Sequence, residues 1–204
     1  MADRLIQDAL FFLTTLDPVG TLALFAALTA KFPAAERRRT AHRAVAYATA
    51  ILVVSVVAGQ ALLSAMGIRL LSLQVAGGVI LFLLGIQMLF SGSDETSSGQ
   101  AEAGHDLAVF PMAIPSIAGP GAIMAVIVRT DNGLYSLAEQ LATGAVLLGA
   151  LLVVWVALLA AGPILRLIGT NGATILVRVM GMILAALSAE LLLSALGVPG
   201  WAQP

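Results

Sequence analysis

Six apolar stretches account for most of this chain: Leu5–Thr29, Val45–Met66, Leu70–Phe90, Leu107–Val128, Leu137–Ala160 and Ile175–Leu196. Each runs 21 to 25 residues, enough for a helix to cross about 30 Å of hydrocarbon at about 1.5 Å per residue. The same feature fixes the secondary structure, because lipid offers no partner to an open sheet edge. With 60% apolar and only 10% charged residues among 204, little sequence remains for a soluble domain, where about 25% charge is usual. The sequence predicts an all-α membrane protein of six transmembrane helices, a single integral membrane domain over residues 1–204. The first stretch exceeds the roughly 7–15-residue core of a cleavable signal and shows no clear cleavage site, so it is read as a permanent span.

Composition also excludes functions. Ten Lys+Arg against eleven Asp+Glu supply no basic face for nucleic acid. The absence of cysteine removes disulfides, thiolate catalysis, thiolate-bound zinc and iron–sulfur clusters. The two histidines, His42 and His105, fall in predicted inner loops, so a serine–histidine or zinc hydrolase within the bilayer is unsupported. No nucleotide-binding loop is present, and any pumping must draw on gradients rather than ATP. The expectation is a protein that is not an enzyme and holds no cofactor and no metal.

The connectors orient the chain. Lys31, Arg37, Arg38, Arg39 and Arg43 carry half of the positive charge in the link between the first two stretches. By the positive-inside rule that link is cytoplasmic, together with the Gly92–Asp106 connector and the Arg166 loop, while Arg4, Arg69 and Arg129 lie outside. Both termini are then periplasmic. Glu36-Arg37-Arg38-Arg39 is also placed to touch anionic membrane lipid.

Two halves resemble each other. Gly78 to Ser91 lies over Gly181 to Ser194, and Leu16-Asp17-Pro18 lies over Ala118-Gly119-Pro120. Repeat one spans about 1–91, the linker about 92–106 and repeat two about 107–204. Three spans per half is an odd number, so the second copy inserts upside down as an inverted repeat, an arrangement common in secondary transporters.

Polar residues and helix breakers inside the spans mark the candidate site. Asp17-Pro18-Val19-Gly20 interrupts span one, since a proline removes a helical hydrogen bond and disfavours helix at the residue before it. Pro115-Ser116-Ile117-Ala118-Gly119-Pro120-Gly121 interrupts span four. Paired breaks in matching positions point to a transporter's substrate site, and the half-helix N-terminus behind each favours an anion. Asp17 lies near the midplane, where a carboxylate requires a partner, water or a proton; capping the half-helix behind it is the alternative duty. One carboxylate and two half-helix ends suit a zwitterion. Glu190, paired by the repeat with Gln87, is with Asp17 the candidate for proton coupling, or else a structural hydrogen-bonding group. Deep in the spans only these two acids are available, because Asp8 and Glu139 sit near span ends, so a metal site is disfavoured. Gln60 and Gln74 read as glue between helices, and Gly77-Gly78 and Gly181 as close-packing faces.

These residues carry a family resemblance. Leu16-Asp17-Pro18-Val19-Gly20, Ala76-Gly77-Gly78-Val79-Ile80-Leu81-Phe82, and Phe110-Pro111-Met112-Ala113-Ile114-Pro115 followed by Ala118-Gly119-Pro120-Gly121-Ala122-Ile123 resemble the MarC family of bacterial inner-membrane proteins. The likeness covers nearly the whole chain. It implies a transporter or exporter of small neutral amino acids such as alanine, glycine or serine, with affinity to the lysine-exporter superfamily. The implied substrate-binding residues are Asp17, Pro18, Gly20, Thr21, Ser116, Gly119, Pro120 and Gly121. H+ or Na+ as coupling ion and a homo-oligomer are compatible with it. Thr21 and Ala23 stand where the family often has Asn and Pro, which bears on substrate preference. A divalent-cation exporter and a non-transporting scaffold are the competing readings.

Overall fold

The computed structural model describes residues 2–90 and 106–198. Its helices are α1 (Ala2–Leu16), α2 (Pro18–Leu28), α3 (Ala34–Ala65), α4 (Leu70–Phe90), α5 (Pro120–Arg129), α6 (Leu137–Leu159) and α7 (Ala161–Ala195), with an irregular proline segment, Ala108–Ile117, before α5. No strand occurs among the described residues. Five helical stretches are long and apolar enough to cross a membrane, and a sixth is counted if the proline segment and α5, bent by 53°, form one span.

Local chemistry explains where helices start, stop and bend. Ser136 caps α6, and Glu139 reaches back to the Ser136 N–H in a capping box that satisfies two orphan donors. At the far ends of α3 and α7, Gly67 (φ 68°) and Gly197 (φ 66°) take the left-handed conformation that closes a helix and that a side chain disfavours. In the proline segment Phe110 and Ile114 are extended (φ −127° and −129°) because each precedes a proline. Within α7 the helix breaks at Gly169 (φ 67°, ψ 175°).

Two predicted loops prove to be helical. α3 begins at Ala34 and runs 32 residues, so Arg37, Arg38, Arg39, His42 and Arg43 ride on its first turns rather than on a loop. Arg166 likewise belongs to the opening segment of α7. A search for long apolar runs misses such an extension, because the buried stripe at the start of α3 is built of small residues, Thr40, Ala41, Ala44 and Ala48, set among charged ones. The connector Gly92–Asp106 lies outside the described residues except for Asp106, and so do His105 and Pro204.

The core gathers where the broken segments meet. Phe12, Leu16 and Phe25 from α1 and α2, Met112 and Ile117 from the proline segment, Ala125 and Val126 from α5 and Val154 from α6 are all buried. α4 and α7 form the most extensive helix pair. A Cβ on Gly85 would lie 2.7 Å from the Gly181 carbonyl oxygen, and one on Gly181 would lie 2.8 Å from the Gly85 carbonyl. Backbones can approach this closely only without side chains, the usual packing device where lipid removes the hydrophobic drive between helices. Gly77 meets Met124 of α5, and Gly78 meets Leu192 of α7.

Candidate functional site

The chain leaves helical geometry at Asp17 (φ 43°, ψ 72°) between α1 and α2. Few residues tolerate the left-handed region; aspartate is one, because its side chain bonds locally. Here Asp17 Oδ1 accepts a hydrogen bond from the Gly20 N–H at 3.0 Å, capping α2, while Pro18 occupies the first turn, where its missing N–H costs nothing. The second break is built differently. Gly119 is extended (φ −75°, ψ 169°), Pro120 opens α5, and no side chain caps that N-terminus. The two breaks touch. Ser116 Oγ donates to Thr21 Oγ1 at 3.2 Å, and Thr21 Oγ1 in turn donates to the Leu16 carbonyl at 3.3 Å. Beside the first break lies a cavity of about 220 Å³, lined by Pro18, Val19, Leu22 and Ala23 of α2 with Ala157, Ile164 and Leu176.

About 13 Å from Asp17 along α1, at 1.5 Å per residue, sits a second polar cluster. Asp8 is fully buried. Thr143 Oγ1 of α6 donates to Asp8 Oδ2 at 2.8 Å. Arg129 Nη1, from the last turn of α5, lies 3.3 Å from Asp8 Oδ1. Arg4 Nε stands 3.8 Å from Asp8 Oδ2, while its Nη1 pairs with Glu139 Oε1 at 2.9 Å. Both guanidiniums cover aromatic rings, Arg4 over Tyr135 at 3.7 Å and Arg129 over Phe11 at 4.7 Å. Arg4 Nε and Asp8 Oδ1 are buried without a directed hydrogen bond. Arg43 of α3 pairs with Asp106, two residues before the proline segment.

Comparison with known proteins covers nearly the full length of the chain. The family profile described as "MarC family integral membrane protein" matches residues 2–198. The chain belongs to the MarC family. It is 37% identical to a UPF0056 membrane protein of Archaeoglobus fulgidus, over 89% of this chain and 86% of that one. It is 31% identical to the UPF0056 inner membrane protein MarC of Salmonella paratyphi A, over 87% of each. A UPF0056 membrane protein of Buchnera aphidicola is 29% identical over 98% of both. No solved structure matches.

Within this MarC-family chain the predicted residues fall into three groups. Asp17, Pro18, Gly20, Thr21 and Ser116 meet at the breaks. Gly119 is held against the Pro115 carbonyl, which a Cβ would approach to 2.5 Å, and a Cβ on Gly121 would run into the Leu81 side chain of α4. Gly121 is therefore packed by α4, and bulk there disturbs helix contact first. Pro120, like Glu190 and Gln87, is exposed. His42 accepts from Trp155 Nε1 at 3.0 Å, and Gln60 donates to the Ile127 and Thr130 carbonyls at 3.3 and 3.0 Å, holding the end of α5 to α3. No group of three or more His, Asp or Glu arranged to hold a metal ion occurs among the described residues. Sequence reasoning missed the Arg4–Asp8–Arg129–Glu139 cluster. Two signals were available: Arg4 and Asp8 at i,i+4, and the Ser136-x-x-Glu139 capping box that fixes the carboxylate at the head of α6.

Proposed function

We propose that this MarC-family protein is a secondary transporter or exporter of small neutral amino acids, of the alanine, glycine and serine class, across the bacterial inner membrane, with both termini periplasmic. The observation that carries the reading is the Ser116–Thr21 hydrogen bond at 3.2 Å, which joins two breaks with opposite electrostatics. α2 begins on the Asp17 carboxylate, a partner for an ammonium group. α5 begins without a side-chain cap, leaving N–H groups and the positive end of its dipole for a carboxylate. The adjoining cavity of about 220 Å³ has only apolar lining residues and suits a short side chain.

Two inverted halves, residues about 1–91 and 107–204, fit the packing. α1 and α2 pack on α6 as the proline segment and α5 pack on α3, and α2 packs on α7 as α5 packs on α4. Gly78 and Gly85 of the first half correspond to Gly181 and Ser188 of the second. The contact of Gly85 with Gly181 is thus mirrored by the approach of Gly78 to the Ser188 carbonyl. H+ or Na+ would couple through Asp17 at the break, with Glu190 as the other candidate carboxylate.

Counterflow in proteoliposomes with labelled alanine, glycine and serine tests the reading. Asp17→Asn keeps a helix cap but removes the charge, so normal yield with affinity weakened roughly 10- to 150-fold is expected, the effect of losing about 1.5–3 kcal/mol. Wild-type rates and affinities in a folded Asp17→Asn protein would overturn the zwitterion site. A flat wild-type response to all three amino acids would overturn the substrate class.

A further inference from the structure

We infer that Arg4, Asp8, Arg129 and Glu139 form a gate that closes the face of the membrane carrying Arg4, and that transport requires this ionic clasp to come apart. The clasp joins the two halves: Arg4 and Asp8 belong to α1, Arg129 to the end of α5, and Glu139 and Thr143 to α6. It stands above both breaks at the same height, because Asp8 precedes Asp17 by nine residues and Arg129 follows Pro120 by nine, each about 13 Å of helix. Between clasp and breaks the space is filled by Phe11, Phe12, Leu16, Ala122 and Ala125, all buried. The cavity that touches the first break lies on the α2 side instead. This conformation is sealed at the Arg4 face.

A static seal would be made more simply from apolar residues. Buried ion pairs contribute little net stability compared with well-packed hydrophobic groups, and their best-attested use is in switching and registry. This one has the character of a switch. Arg4 is shared between Asp8 and Glu139, and two buried polar atoms, Arg4 Nε and Asp8 Oδ1, lack a directed hydrogen bond. Their ion pairs, at 3.3 Å for Asp8 Oδ1 with Arg129 and 3.8 Å for Arg4 Nε with Asp8, are longer than the about 2.7–2.9 Å of a charge-assisted hydrogen bond, and that looseness eases the release of the contact. When α5 and α6 draw away from α1, each arginine leaves an aromatic face on the other side of the opening: Arg129 leaves Phe11 of α1, and Arg4 leaves Tyr135 of the α5–α6 connection. Release therefore strips both cations of a ring as well as a carboxylate, giving closure a definite free-energy bias that substrate binding must shift.

The inference rests on the two-break reading only for where access is measured. The chain contains no cysteine, so Ser116→Cys is a unique reporter at the junction of the breaks. Its labelling by a membrane-impermeant maleimide is measured in the full chain, in vesicles of either orientation. Asp8→Asn and Glu139→Gln are expected to speed labelling from the Arg4 face roughly 5- to 150-fold, the range of ordinary conformational couplings, and to leave the opposite face unchanged or slower. Because Asp8→Asn leaves two half-buried cations without their carboxylate and its fold can fail, a second arm uses Arg4→Cys with Glu139→Cys joined by a short bis-thiosulfonate linker. The linked protein is expected to lose counterflow, and reductant to restore it. Unchanged labelling in folded Glu139→Gln, or counterflow that persists through complete linkage, would overturn the gate. If labelling responds but no amino acid is transported, the substrate reading falls and the gate stands.

Discussion

Asp17 is asked to do two things at once. Its backbone occupies a left-handed conformation that costs an ordinary residue about 1–2 kcal/mol, and its side chain bonds the Gly20 N–H that would otherwise be an orphan at the head of α2. Asp17→Leu removes the bond, worth about 1 kcal/mol at a helix N-terminus, and retains the strain. A loss of about 2–3 kcal/mol is expected, read as a clearly lower thermal midpoint in detergent. Asp17→Asn should melt close to the wild type, because asparagine both caps and tolerates the conformation. A leucine variant as stable as the asparagine one would mean that the break is held by its surroundings and not by this side chain. Glycines differ in the same local way. Gly149 of α6 has open space where a Cβ would stand, so Gly149→Ala is expected to gain about 0.4–1 kcal/mol through the unfolded chain.

At the level of helices, the α4–α7 crossing is the contact least able to absorb change. Gly85→Val places atoms within 2.7 Å of the Ala185 N and Gly181 carbonyl oxygen, backbone that cannot rotate away. Overpacking of this kind costs about 1–3 kcal/mol or more, expected as a loss of the monodisperse fraction on size exclusion; a Gly85→Val protein with wild-type yield and melting would show that the pair can slide apart. The apolar spans and the Asp17-Pro18 and Gly119-Pro120 positions were legible in sequence, because hydropathy and proline act over a few neighbouring residues. The helical start of α3 was not, since from Arg37 to Arg43 the buried face rests on small residues, Thr40 and Ala41, too short a stripe among five charged and polar neighbours to stand out by hydropathy. The clasp was hidden for a different reason. Arg4, Asp8, Arg129 and Glu139 each sit near a span end, where a charge is ordinary, and only the packing of α1 against α5 and α6 makes Asp8 buried.

For the molecule as a whole, the distribution of Lys and Arg sets the side on which each connector lies. In the proposed orientation, which puts Lys31 to Arg43 in the cytoplasm, a periplasm-active reporter fused after Pro204 should be active, and the same reporter within Gly92–Asp106 should be silent. The reverse pattern would invert the orientation and move the Arg4 face to the cytoplasm. The helical start of α3 sharpens the expectation: five cationic residues lie between Lys31 and Arg43, four of them on a helix that projects from the membrane rather than on a slack loop that could follow either path.

The bond between Thr143 and Asp8 spans 135 residues of sequence, and that separation has a cost in time. At about 5–20 residues per second of synthesis, Asp8 enters the bilayer roughly 7–27 s before its partner on α6 leaves the ribosome. Arg129 arrives only shortly before Thr143. During the wait the carboxylate has one cation within reach on its own helix, Arg4 at i,i+4. The first helix thus carries its own temporary counter-ion, a built-in chaperone for a charge that cannot yet find its final neighbours.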